Sequence, residues 1–183
     1  MNFPRILKKR KGYIDRIKPF MQKSVAKVLT GQRRVGKSFL LYQLIEEILA
    51  EEPDANIIYV NLEDFTFSSL QTAEDLHSYI ISHSKEKVKN YIFIDEIQDI
   101  PGFEKVIRSL LLNEDNDIYI TGSNAKMLSG ELATYLSGRY IEFKIYSLSY
   151  SEFLEFHGLT ESETSYESVS YTHLRAHETA ANL

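Results

Sequence analysis

The sequence predicts an α/β fold in which a parallel five-stranded sheet is flanked by helices. Short apolar runs rich in β-branched residues alternate along the chain with segments of helical periodicity. The apolar runs are continuous and do not alternate with polar residues, which is typical of parallel strands that are buried on both faces. We therefore expect successive strand–helix units around one sheet.

Five strands and the helices between them follow from this pattern. Strands are expected over residues 25–30, 57–60, 91–94, 118–121 and 140–145. Helices are expected over residues 38–50, 72–84, 101–112, 126–136 and 150–156. Thr72 followed by Asp75 is typical of a capping box at the start of the second helix. Pro101 suits the first turn of the third helix.

The composition is that of an ordinary globular domain. Hydrophobic residues make up 43% of the chain, and the net charge of −5 gives no overall electrostatic case for binding nucleic acid. Positive charge is concentrated in residues 5–37, where it predicts either a solvated basic helix beside a phosphate site or a patch for DNA or a partner protein. The absence of cysteine excludes disulfides and thiolate metal sites. Without a secretory signal or a long apolar run, we expect no membrane association and a cytoplasmic location.

The segment GQRRVGKS, from Gly31 to Ser38, matches the phosphate-binding pattern G-x-x-x-x-G-K-[ST]. Glycines let the backbone fold around a phosphate with its N–H groups inward, and the N-terminus of the following helix adds a positive dipole. Lys37 is expected to reach the β- and γ-phosphates, and the Ser38 hydroxyl is expected to bind Mg²⁺. The candidate ATP-binding residues are Gly31, Gln32, Arg33, Arg34, Val35, Gly36, Lys37 and Ser38.

Two acids, Asp95 and Glu96, follow the third predicted strand. Because the carboxyl ends of parallel strands meet at one edge of a sheet, Asp95 is expected beside the phosphate-binding loop, where it would help to hold Mg²⁺. Glu96 is expected to orient and activate the attacking water. The Asp-Glu pair alone is a moderately specific indication of an ATP site, and together with the phosphate-binding loop it is a strong one.

Polar residues at other strand ends supply further candidates. Asn124 is the first choice to contact the γ-phosphate or its water and Ser123 the second, the alternative being a simple turn. The guanidinium of Arg139 suits the charge of a transferring phosphoryl group, the alternative being a structural ion pair. Asn61 and Glu63 are expected at the same sheet edge, either as γ-phosphate contacts or as loop residues.

Together these motifs resemble the prokaryotic AAA-type ATPases of the AAA+ superfamily, in which this domain precedes a nuclease-like domain of unknown function. The resemblance is carried by TGQRRVGKS, IFIDEIQ, ITGSNAKML, LSGRY and LSYSEFL, in this order over residues 10–156. It implies an AAA+-like P-loop NTPase fold with ATP and Mg²⁺ as ligands. It also implies a sensor at Asn124, and a finger at Arg139 that acts on the ATP of a neighbouring subunit in a homo-oligomer of the full-length protein. The sequence names no DNA or protein partner.

The chain is expected to contain one domain between two unlike ends. A basic lead-in helix over residues 1–22 precedes an ATP-binding domain over residues 23–157. Residues 158–167 are expected to start a truncated connection. Residues 169–179, VSYTHLRAHET, resemble a translated sequencing adapter, so residues 168–183 are expected to be an artefactual tail.

The function expected from these features is Mg²⁺-dependent ATP hydrolysis coupled to a downstream domain. The alternative is an ATP-sensing module without efficient hydrolysis, regulating a DNA-associated partner. Glu96 favours the first hypothesis, because a pure sensor needs no base. The guanine-recognition pattern N-K-x-D is absent, which argues against a GTPase. The sequence LSGE at residues 128–131 resembles the signature of ABC transporter ATPases. That signature precedes the Asp-Glu strand, whereas LSGE follows it, which argues against an ABC transporter ATPase. A small-molecule kinase stays open but would not need the Asp-Glu pair.

Overall fold

The sheet of the computed structural model is five-stranded and parallel, as predicted. The structure describes residues 8–123, 135–136 and 138–160, and the chain divides into two compact units, residues 1–145 and 146–183. The strands, all in the first unit, are β1 (Ala26–Thr30), β2 (Asn56–Asn61), β3 (Asn90–Asp95), β4 (Asn116–Gly122) and β5 (Tyr140–Lys144). Their order across the sheet is β2-β3-β4-β1-β5, and each neighbouring pair is parallel.

The helices of the described part lie close to their predicted positions. In the first unit they are α1 (Lys11–Ile17), α2 (Lys37–Glu51), α3 (Ala73–His83) and α4 (Phe103–Leu110). The predicted capping box of Thr72 and Asp75 opens α3. The third predicted helix starts at Phe103 and not at Pro101, because Gly102 adopts the left-handed conformation (φ 75°) at its N-cap. The predicted helix over 126–136 lies outside the described residues except for residues 135–136, which are helical.

The second unit contributes one described helix, α5 (Tyr150–His157). Ser149 and Glu152 form a capping box at its start, since each side chain bonds the backbone N–H of the other residue. The helix ends at Gly158, whose φ of 65° is left-handed. Local hydrogen bonding therefore explains both ends of this helix.

Both faces of the sheet are covered by apolar side chains, which explains why its strands are continuous apolar runs. Successive strand residues alternate between the two faces: Ile92 packs into a core with residues of α3 and α4, and Phe93 into a core with residues of α1 and α2. The Phe93 ring stacks on Tyr119 of β4, with ring centroids 4.5 Å apart. No helix in the described part is both long and apolar enough to cross a membrane.

Because the strands are parallel, their carboxyl ends lie together along one side of the sheet, called here the carboxyl edge, and their amino ends lie along the opposite side. At the carboxyl edge, Thr30 pairs with Gly122 and Asn61 pairs with Asp95. The phosphate-binding loop predicted after β1 and the acids predicted after β3 therefore lie at the same edge.

Candidate functional site

The loop between β1 and α2 has a backbone that requires glycine at its start. A Cβ atom on Gly31 would lie 2.3 Å from the carbonyl oxygen of Ile145, so no side chain fits at this position. Gly36 (φ 92°) is the N-cap of α2, and Arg34 also adopts a left-handed conformation (φ 66°). The first intrahelical bond runs from the Leu40 N–H to the Gly36 carbonyl at 3.0 Å. The N–H groups of the first turn of α2 therefore have no helical acceptor, as in anion-binding helix termini.

An open cleft of about 530 Å³ lies in front of this loop. Both the loop and the carboxyl edge of the sheet contribute to its walls. The lining residues are Arg33, Arg34, Gly36, Lys37, Ser38, Phe39, Glu63 and Glu96.

Lys37 lies at the base of the cleft with only 4% of its surface exposed. Its ammonium group donates hydrogen bonds to the carbonyl oxygens of Gly31 (3.3 Å) and Gln32 (3.1 Å). It also lies 3.3 Å from Oε1 of Glu96. The cation is thus folded back onto its own loop and paired with the acid that follows β3.

Glu96 is buried, and donors surround its carboxylate. Oε2 accepts hydrogen bonds from the Ser123 hydroxyl and from the Gln98 side-chain amide, both at 2.7 Å. Burial by itself would raise the pKa of Glu96, but these two donors and the charge of Lys37 outweigh it and hold the pKa below its ordinary value. The group is therefore ionised at neutral pH and is chemically able to accept a proton.

Asp95 is 1% exposed and is held by hydroxyl groups from two other strands. The Thr121 hydroxyl donates to Oδ1 and accepts the backbone N–H of Glu96 at 3.0 Å, so one side chain contacts both acids. The Tyr59 hydroxyl lies 3.2 Å from Oδ2 and 3.1 Å from the hydroxyl of Tyr42. Burial has the largest effect on the pKa of Tyr59 and raises it, and the negative charge of Asp95 raises it further. This phenol therefore stays protonated.

The donor set at this edge suits Mg²⁺ bound together with a nucleotide. The Ser38 hydroxyl and the Asp95 carboxylate are hard oxygen ligands, and Mg²⁺ is usually held by one or two such groups plus phosphates and water. Among the described residues, no group of three His, Cys, Asp or Glu side chains could hold a metal ion by itself. Phosphate oxygens would therefore have to complete the coordination.

The basic lead-in contacts the phosphate-binding loop directly. Arg10 is 5% exposed, and its guanidinium donates to the Val35 carbonyl at 3.0 Å and stacks 4.5 Å from the Tyr13 ring centroid. Its backbone N–H donates to the side chain of Gln43 on α2 at 2.9 Å. The segment before β1 is therefore part of the wall that supports the loop.

Several lysines of this basic segment have carboxylate partners. Lys9 and Lys18 both lie 2.5 Å from Glu47, and Lys11 lies 2.7 Å from Asp15. Of the two interpretations of the basic run, this pairing favours a solvated, ion-paired surface over a patch for DNA.

The structure places the other predicted residues at different distances from the cleft. Ser123 contacts Glu96, whereas Asn124 lies outside the described residues. Arg139 is exposed and precedes β5, and its carbonyl accepts the N–H of Ala26 at the start of β1. It is thus separated from the loop by the length of β1, about 13 Å at roughly 3.3 Å per residue. Arg139 therefore does not reach the cleft of its own chain.

The loop after β2 lines the mouth of the cleft. Glu63 lies 3.8 Å from the exposed Arg33, while the Asn61 side chain accepts the backbone N–H of Glu63 at 3.0 Å. Asn61 thus has the local turn contact that was one of its two predicted roles.

Three residues of this site were not predicted from the sequence: Tyr59, Thr121 and Gln98. Each is a common polar residue within or just after an apolar strand, and each acquires its role through a contact with Asp95 or Glu96. The position of Gln98 two residues after Glu96 was the one local signal, and it was too unspecific to assign a role.

Comparisons with known proteins agree with this architecture. A family model for the AAA domain matches residues 23–154. An uncharacterized protein of Haemophilus influenzae is 44% identical over 152 residues, which are 79% of this chain and 37% of that protein. An uncharacterized protein of Methanocaldococcus jannaschii is 37% identical over 131 residues, which are 71% of this chain and 28% of that protein. The chain thus spans about a third of the length of these relatives.

Solved structures with a similar fold include proteins bound to an ATP analogue. Domain III of the Thermotoga maritima replication initiation protein DnaA has a TM-score of 0.54 at 14% identity, covering 87% of this chain and 75% of that one. DnaA bound to AMPPCP and single-stranded DNA has a TM-score of 0.55 at 16% identity, covering 91% and 57%. Caenorhabditis elegans PCH-2 has a TM-score of 0.56 at 14% identity, covering 79% and 44%. At these identities the likeness concerns the fold alone, which is that of an AAA+ P-loop NTPase.

Proposed function

The chain belongs to the AAA-domain family, and from this premise we propose that it binds Mg·ATP in the cleft and hydrolyses it. The observation that carries the proposal is the convergence of three charged side chains, Lys37, Asp95 and Glu96, which are 4%, 1% and 6% exposed. Burying charges is unfavourable unless they are paired or bind a ligand. One cation and two acids beside a glycine-dependent loop suit a polyphosphate with its metal ion.

In the proposed complex, the residues from Gly31 to Ser38 bind the phosphates through backbone N–H groups and the positive end of α2. Lys37 exchanges its contact with Glu96 for phosphate oxygens. Ser38 and Asp95 hold Mg²⁺, which when bound offsets the negative charge of the phosphates.

Glu96 acts as the base in this proposal. Once Lys37 has turned to the phosphates, the carboxylate keeps its hydrogen bonds with Ser123 and Gln98, which fix its orientation toward the cleft. An ionised, oriented carboxylate can accept a proton from the attacking water. Asn124 stays a proposed contact of the γ-phosphate, and Arg139 is proposed to act on the ATP of a neighbouring subunit.

The wider proposal concerns what hydrolysis drives. Because the relatives are longer than this chain, we propose that the ATP-binding domain, over about residues 23–157, is coupled to a further domain downstream. The second hypothesis, an ATP-sensing module without efficient hydrolysis, differs in the role of Glu96: it requires ATP binding without a base.

A thermal-shift experiment tests the ATP site. ATP with MgCl₂ is expected to raise the melting temperature of the chain, because a ligand that binds the folded state stabilises it. Lys37→Ala is expected to abolish the rise. Lys105→Ala, at an exposed position on α4, is the matched control and should keep it. A folded wild-type chain whose melting temperature does not respond to Mg·ATP would overturn the proposal.

A further inference from the structure

Two phenol groups connect the helix after the phosphate-binding loop with the Asp95 carboxylate. Tyr42 lies on α2 and Tyr59 on β2, next to β3 in the sheet. Their hydroxyls are 3.1 Å apart, and the Tyr59 hydroxyl is 3.2 Å from Oδ2 of Asp95. The chain of hydroxyls thus passes from α2 through β2 to the end of β3.

Helix and strand periodicity place these two hydroxyls between the two candidate Mg²⁺ ligands, Ser38 and Asp95. Tyr42 follows Ser38 by four residues, one turn along the same face of α2. Tyr59 precedes Asn61 by two residues, and Asn61 pairs with Asp95, so Tyr59 and Asp95 share one face of the sheet. The hydroxyl pair therefore ties the helix that carries Ser38 to the strand that carries Asp95.

The Tyr59 hydroxyl is the donor in its contact with Asp95, because a carboxylate only accepts. The same hydroxyl is also the donor to the Tyr42 hydroxyl, so its one proton serves one of the two contacts at a time. The other carboxylate oxygen of Asp95 accepts from Thr121, so both oxygens have a hydroxyl donor before any ligand binds.

We propose that the Tyr42–Tyr59 hydroxyl pair positions Asp95 for Mg²⁺. This inference rests on the proposed function, because it assumes that Mg·ATP binds in the cleft. Groups that hydrogen-bond a metal ligand orient it, and their loss commonly weakens metal binding by about ten- to a hundredfold. The phenols are thus positioning residues, and their loss should affect the contribution of Mg²⁺ and spare the affinity for the nucleotide itself.

The test compares ATP binding with and without the metal by isothermal titration calorimetry. The dissociation constant for ATP is measured in EDTA and in MgCl₂, and their ratio is the gain in affinity due to Mg²⁺. For Tyr59→Phe we expect a constant in EDTA close to that of the wild type and a Mg²⁺ gain reduced by about tenfold. Tyr42→Phe should reduce the gain less, because Tyr59 still donates to Asp95.

Tyr91→Phe is a matched control. Tyr91 is also a buried phenol of the sheet whose hydroxyl bonds a carboxylate, that of Glu52 at 2.9 Å, but it follows Asn90 at the opposite edge. Its substitution should leave the Mg²⁺ gain unchanged. The ring packing of Tyr59 on Tyr42, with centroids 5.4 Å apart, does not need the hydroxyls, so the phenylalanine variants should fold.

The outcomes separate this inference from the proposed function. A wild-type chain that binds no ATP in either buffer would overturn both. A wild-type chain with a Mg²⁺ gain that persists in Tyr59→Phe would overturn the positioning role alone. An equal loss in Tyr91→Phe would also overturn it, because the effect would then be one of general stability.

Discussion

Two buried lysine–carboxylate pairs lie at opposite edges of the same sheet, and they differ in what surrounds them. Lys27 pairs with Asp117 near the amino ends of β1 and β4, and both side chains are fully buried. Lys37 pairs with Glu96 at the carboxyl edge, and both residues line an open cleft. The comparison shows that burial of an ion pair does not by itself indicate a functional site.

The Lys27 pair is closed because protein groups satisfy both partners. The ammonium donates to the carbonyls of Lys23 and Val25 and to Asp117, which accounts for its three protons. Asp117 also accepts from the Gln22 backbone and the Tyr119 hydroxyl. Burial lowers the pKa of Lys27 although Asp117 acts in the opposite direction, so enclosure itself is unfavourable.

The Lys37 pair is open because its partners can be exchanged. Phosphate oxygens can replace Glu96 at the ammonium, while Glu96 keeps its two other donors, Ser123 and Gln98. An ion pair that borders a cleft and retains hydrogen bonds after separation is suited to ligand exchange. The closed pair offers no such route, and we expect it to act through stability alone.

The largest expected effect is the loss of ATP turnover when Glu96, the proposed base, is replaced. Glu96→Gln should lower ATP turnover by about 10²- to 10⁴-fold, because an amide cannot accept the proton of the attacking water. Mg·ATP should still raise the melting temperature of this variant. Steady-state phosphate release measures turnover, with Asp117→Asn as the control at the closed pair. Normal turnover in Glu96→Gln would refute its role, and absence of turnover in the wild type would favour the ATP-sensing hypothesis.

The closed pair should show the largest effect on stability. Lys27→Met leaves the buried Asp117 carboxylate without its cation, which commonly costs about 3–5 kcal/mol of unfolding free energy. Urea denaturation of the two proteins measures the difference. Adding Asp117→Asn to Lys27→Met should recover part of the loss, since the uncompensated charge is removed. If Lys27→Met alone were as stable as the wild type, this description of the pair would be wrong.

A smaller effect on turnover is expected when Glu96 is kept but loses one of the hydrogen bonds that orient it. Ser123→Ala deletes one donor to Glu96, and a hydrogen bond to a charged group contributes about 1.5–3 kcal/mol, so turnover should fall roughly tenfold or more. ATP affinity should change little, because Lys37 binds the phosphates independently. Ser109→Ala, which removes a hydroxyl near His77 on the helical surface, is the control. Equal kinetics in both variants would exclude a positioning role for Ser123.

The smallest effect is the pH dependence of stability. The pKa of Glu96 is lower in the folded chain than its ordinary value of 4.5. The folded state therefore favours the ionised form, and this stabilisation is complete above pH 4.5 and is lost as the pH falls through the folded-state pKa. The stability difference between the wild type and Glu96→Gln, from urea unfolding without ATP, should shrink below pH 4.5. A difference that grows in acid would show the opposite shift.

Local patterns in the sequence predicted most of the fold. The five strands, the capping box of α3 and the parallel arrangement depend on apolar runs and short-range hydrogen bonds, which are visible in neighbouring residues. The start of α4 was misplaced by two residues, because Gly102, and not Pro101, provides the N-cap. Backbone conformation at a glycine depends on the turn that precedes it, and composition does not show this.

The sequence by itself determined the fold class, the phosphate-binding loop and the acids that follow β3, because each is a contiguous pattern with a local physical cause. Only the tertiary structure decided which residues touch these acids and the loop. Tyr59, Thr121 and Arg10 come from β2, β4 and the lead-in, and they reach the site because parallel register and helix packing bring distant segments to one sheet edge. The same register separates Lys27 from Lys37, so two lysines ten positions apart lie at opposite edges of the sheet, one in a closed pair and one beside a cleft.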